Sequence, residues 1–184
     1  MKGKVFLTLM GSLFLRPAAA QPPPVANSVQ VSLSGSALSI EVSGSLDFGS
    51  KQLTGYDQVL HAVSTPLVQV IDATGSGTGW SVTAQASDLA GPQGNLPASS
   101  LSFHSTGGSL QMIRGLSIGS GGPAETNLVG TLEQSLKVLS TQSDAGMGTY
   151  QWRPANSSFS LSVPAAVRAG TYQGLITFSI MSGP

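Results

Sequence analysis

The sequence predicts an all-β protein, a β-sandwich of short antiparallel strands with Ig-like or Greek-key character. Three observations lead there. Apolar and polar residues alternate with a period of two in several separate stretches; clusters of turn formers punctuate those stretches; and only 9% of the 184 residues are charged, with 23 glycines, a composition poor in the residues that favour helices.

The N-terminus opens with a secretory pattern. Lys2 and Lys4 precede an apolar run from Val5 to Leu15, and Ala18-Ala19-Ala20 supplies small residues for cleavage. The run is too short to cross a bilayer as a helix, so residues 1–20 are expected to be removed, leaving Gln21 first. Loss of Lys2, Lys4 and Arg16 takes the eight basic residues to five against eight acidic ones, a net charge of −3. A chain of that charge is poorly suited to nucleic acid. It has no cysteine, hence no disulfide and no lipid-modified thiol, and no later run has the length of a membrane span.

Residues 21–28 contain three consecutive prolines and form an extended lead-in. The β domain is assigned to 29–184. Val29, Val31 and Leu33 alternate, as do Leu38, Ile40 and Val42, and the intervening Ser34–Ala37 turn predicts a hairpin. The stretch from Leu46 to Val63 is expected to be irregular. Alternation returns at Trp80, Val82, Ala84 and Ala86; at Phe159, Leu161 and Val163; and at Tyr172, Gly174, Ile176, Phe178 and Ile180. In VGTLEQSLKVLSTQ, Leu136–Ser140 is predicted as a strand, with a short helix before it allowed by the spacing of Val129, Leu132 and Leu136.

The segment ATGSGTGWSVTA, with glycines at 75, 77 and 79, superficially resembles a phosphate-binding loop. A dinucleotide loop must open a helix, whose amides meet the pyrophosphate. Here a strand pattern follows instead, so the glycines are assigned to turn geometry.

Two stretches carry a family resemblance. VIDATGSGTGWSVTAQASDL resembles the first signature of the WxL domain, a bacterial cell-surface module, with Trp80-Ser81-Val82 at the W-x-L position. AGMGTYQWRPANSSFSLSVPAAVRAGTYQGLITFSIMSGP resembles its C-terminal half, with Phe178-Ser179-Ile180 at the second W-x-L position. Val82 for Leu and Phe178 for Trp preserve apolar bulk. The resemblance implies an exported module held non-covalently at the cell surface or wall, with peptidoglycan or another envelope glycan as ligand and other surface proteins as further partners. The alternative is a structural or adhesive envelope subunit that assembles through sheet edges.

Trp80 has two readings, a core side chain or a ring stacked on sugar. It shares the apolar face of its strand with Val82, and Phe178 sits between Ile176 and Ile180, so these motif residues are assigned to the core. Tyr150, Trp152 and Arg153 are the candidate glycan contacts, aromatic rings beside a cation; the competing reading packs Trp152 at a strand end. For catalysis, His61 and His104 lie far apart in sequence, and Asp72 and Asp88 are more simply turn caps than a glycosidase pair. No enzyme activity, cofactor or metal is expected.

Overall fold

The computed structural model describes residues 30–119, 121–126 and 128–184. The expected signal segment and proline-rich lead-in lie outside the described residues, as does Val29. Contacts divide the chain into Met1–Ser32 and Leu33–Pro184. The three described residues of the first unit are exposed and outside any strand.

The described residues of the second unit form fourteen strands: β1 Leu38–Ser43, β2 Gln58–His61, β3 Leu67–Asp72, β4 Trp80–Ala86, β5 Leu89–Gly91, β6 Gly94–Leu96, β7 Leu101–His104, β8 Ser109–Gly115, β9 Ala124–Glu125, β10 Val129–Thr131, β11 Leu136–Ser140, β12 Gly148–Arg153, β13 Phe159–Val163 and β14 Ile176–Ser182. Two single 3-10 turns, Ala98–Ser100 and Asn156–Ser158, are the helical elements among the described residues. The sandwich is built from three four-stranded sheets, ordered β1-β3-β12-β8, β10-β7-β13-β2 and β14-β4-β11-β9, beside the small hairpin β5-β6. Every paired strand is antiparallel.

One apolar cluster joins the three sheets, and its aromatic rings do much of the joining. Trp80 of β4 packs on Tyr150 of β12, centroids 6.3 Å apart and tilted 51°. On the same face of β12, Trp152 meets Phe103 of β7 edge-on at 6.3 Å, and Phe103 meets Phe159 of β13 at 5.2 Å. These separations fall in the range where aromatic pairs gain from edge-to-face geometry beyond their buried area. A chain with no disulfide draws its stability from such burial.

Four expectations need correction. The hairpin between Val29–Leu33 and Leu38–Val42 does not form: residues 30–37 contain no strand, and β1 pairs with β3 instead. Val31 and Leu33 are 74% and 90% exposed; alternation makes a segment competent for a strand, but pairing and a covering layer decide. The stretch expected to be irregular contains β2, whose four residues find their partner in the distant β13. The described residues 128–135, just before Leu136, contain no helix. Leu132 is fully buried where the chain crosses between sheets, its N–H donating to Leu101 O at 2.8 Å and its carbonyl accepting from Ala86 N at 2.7 Å, so its helical spacing from Leu136 is incidental. The last strand begins at Ile176 rather than Tyr172; the preceding Gln173 instead exchanges backbone hydrogen bonds with Ala90.

Candidate functional site

Both signature tripeptides lie on adjacent strands of one sheet. Val82 stands opposite Ile180, Ala84 opposite Phe178, and Trp80 opposite Ser182. The Trp80 ring is completely buried, and its Nε1–H donates to Gly146 O at 2.9 Å. Its backbone N–H donates to Thr141 Oγ1 at 3.0 Å, while Thr141 N–H returns a bond to Trp80 O at 2.8 Å. A Cβ on Gly146 would lie 2.8 Å from the indole nitrogen and 2.6 Å from Thr141 Cγ2. The G-M-G-T-Y run is therefore the floor on which the first signature sits.

The glycine loop before Trp80 makes a turn of a particular kind. Gly75, Gly77 and Gly79 all have φ near +70° (68°, 67° and 73°), a region that glycine enters without steric cost. The residues between them link side chain to side chain: Thr74 Oγ1 donates to the Asp72 carboxylate at 2.7 Å, and further hydroxyl contacts run Thr74–Ser76 (2.9 Å), Ser76–Thr78 (3.1 Å) and Thr78–Ser182 (2.8 Å). This ladder ties the end of β3 to the end of β14.

Strand phase separates the three candidate glycan contacts. Tyr150 and Trp152 point inward and are each 1% exposed, whereas Arg153 is exposed. The expected surface pair of rings is thus corrected to a core pair. Tyr150 OH donates to Leu116 O at 2.6 Å. Burial first, and the nearby Asp72 carboxylate second, raise this hydroxyl above the phenol's usual 10.0. Trp152 Nε1–H donates to Glu125 Oε1 at 2.7 Å, and Ser105 donates to the other carboxylate oxygen.

The outward phase of the same strands carries residues that the sequence reading passed over. On the outer face of β1-β3-β12-β8, Glu41, Gln69, Gln151 and Gln111 stand in register as one row across four strands. Gln69 Nε2 donates to Glu41 Oε2 at 3.1 Å, and Gln151 Nε2 donates to Gln69 Oε1 at 2.8 Å. An ionised carboxylate only accepts, so Glu41 fixes the direction of both amides. Two shallow depressions adjoin along this row. One is lined by Glu41, Val42, Ser43, Leu67, Gln69 and Gln151; the other by Leu67, Ser109, Gln111, Gln151 and Arg153. Arg153 Nη1–H donates to Thr65 O at 3.0 Å, which holds the guanidinium at the second depression. The signal was present in the motifs V-Q-V (68–70) and Y-Q-W (150–152): a polar residue between two core residues must face outward.

The residues weighed for catalysis are dispersed. Asp72 caps the loop leading into β4, accepting from Thr74 N–H at 3.1 Å, and Asp88, two residues beyond the other end of β4, accepts from Ala98 N–H at 2.8 Å. A seven-residue strand is about 20 Å long, whereas paired glycosidase carboxylates stand about 5–9.5 Å apart. His61 and His104 are on β2 and β7, separated by β13. Among the described residues no three His, Asp or Glu side chains gather as a metal site, and no helix is long and apolar enough to cross a membrane.

A family model described as "WxL domain surface cell wall-binding" matches residues 15–184. No curated protein and no solved structure shows a significant match. The all-β architecture, the paired signature strands and a match over nearly the whole sequence lead to one conclusion: this chain belongs to the WxL domain family of cell-surface, cell-wall-binding proteins.

Proposed function

We propose that the chain is exported by cleavage after Ala20 and associates non-covalently with peptidoglycan without cutting it. The observation that carries this reading is the family match over residues 15–184, whose description is surface cell-wall binding. The dispersal of Asp72, Asp88, His61 and His104 supports a binding module rather than a hydrolase. So does the open groove formed by the two adjoining shallow depressions, since a binder of an extended polymer needs a long open contact rather than a deep pocket.

The test is sedimentation of purified protein with cell-wall sacculi, followed by assays of turbidity and released fragments. Co-sedimentation without release of glycan or peptide is expected. Failure to sediment overturns wall binding, and reproducible cleavage places the protein among the enzymes. Intact-mass measurement of the exported form is expected to give a chain beginning at Gln21; retention of residues 1–20 contradicts the cleavage.

A further inference from the structure

We infer that the groove on the outer face of β1-β3-β12-β8 is the wall-contact site, and that it takes a short extended peptide carrying both an amine and a carboxylate rather than bare glycan. The inference rests on the wall-binding reading and assigns its ligand and residues. The groove is bipolar: Glu41 stands at one end and Arg153 at the other, and both are exposed. Between them lie the Gln69 and Gln151 amides, with Leu67 shared by both depressions.

Each part answers a feature of a peptide. The guanidinium suits a carboxylate, since its N–H groups form a planar fork, and Arg153 has spent only one of them on Thr65 O among the described residues. The Glu41 carboxylate suits an ammonium. The two amides are already aligned by the Glu41-directed chain, so each retains a second N–H and a second lone pair for a peptide unit without reorganisation. Leu67 offers an apolar contact for a small side chain.

Size agrees with chemistry. Glu41 and Arg153 lie two strands apart across the sheet and two residues apart along it, a diagonal of about 12 Å from standard strand spacings. A long diamino side chain and one further residue, both extended, cover about that span. The stem peptides of peptidoglycan carry that pairing, a diamino-acid ammonium followed by a C-terminal carboxylate. A bare glycan strand offers Glu41 no cation.

The experiment compares binding of the exported protein and of Glu41→Gln, Arg153→Gln and a control outside the lining of both depressions, Lys51→Gln, to three probes: intact sacculi, peptide-free glycan strands, and a synthetic tetrapeptide with an internal diamino acid and a free C-terminus. Thermal melts establish that each variant is folded, as expected for exposed positions. The native and Lys51→Gln proteins are expected to bind sacculi and tetrapeptide. Glu41→Gln and Arg153→Gln are expected to lose at least tenfold in affinity for both probes, with their melts unchanged. Equal binding of sacculi by folded Glu41→Gln and Arg153→Gln overturns the groove while leaving wall binding intact. Binding of peptide-free glycan as tightly as sacculi overturns the peptide. A native protein that binds no sacculi overturns the wall-binding reading itself.

Discussion

Trp80 fills the centre of the core, bonds its indole to Gly146 O and bonds its backbone to Thr141, so truncating it removes packing and strands a buried acceptor. Trp80→Ala is expected to cost about 3–5 kcal/mol, a large share of a typical domain's ~5–15 kcal/mol, and Trp80→Phe less, because most of the volume remains. Trp152→Ala is expected to cost a similar amount to Trp80→Ala, since it opens a cavity beside Phe103 and takes the indole donor from Glu125. Chemical denaturation reads both; a Trp152→Ala midpoint equal to the native one contradicts burial of that ring. Tyr150 adds a pH dependence. Its folded-state pKa is raised, so its contribution is intact below the phenol's unfolded value near 10 and is lost as pH climbs through the folded value. Melting temperatures above pH 10 are expected to fall less steeply in Tyr150→Phe than in the native protein, and parallel curves contradict it. The inward rings of β12 were misread from sequence because aromatic rings beside Arg153 and Pro154 look like a loop surface. The strand's phase, set by Val68 and Val70 opposite Trp152 and Tyr150, decides otherwise.

At the scale of the element, β12 has to leave a tight turn and lie against β8 at close range. Gly148 has φ +131°, and a Cβ there would sit 2.2 Å from Arg114 O and 2.8 Å from Gly115 Cα. Gly55 also has positive φ, +78°, but open space around it. Gly55→Ala is expected to cost about 1–2 kcal/mol for conformation alone, and Gly148→Ala more, because backbone must move as well. Urea midpoints at unchanged m-value measure the difference; equal costs contradict the close approach. Strands β4 and β13 were legible because Trp80 to Ala86 and Phe159 to Val163 alternate; β11 was harder to read because its buried Val138 and Leu139 are adjacent at a shift in register. The β1 pairing and β2 were not, because their partners are set by contacts distant in sequence, β1 with β3 and β2 with β13. Gln69 and Gln151 read as outward within V-Q-V and Y-Q-W, but the row from Glu41 to Gln111 is assembled by register alone, each strand supplying a single residue.

For the molecule as a whole, three sheets share one cysteine-free core, with the signature residues inside it and the exposed groups of the groove outside. This division separates stability from recognition, and Trp80 tests it. The decisive measurement pairs the thermal midpoint of Trp80→Phe with its sedimentation on cell-wall sacculi, made well below that midpoint. The expected result is a lowered midpoint with wall binding equal to the native protein, the indole being a core group. A folded Trp80→Phe protein that no longer sediments with walls contradicts it and makes Trp80 a ligand contact.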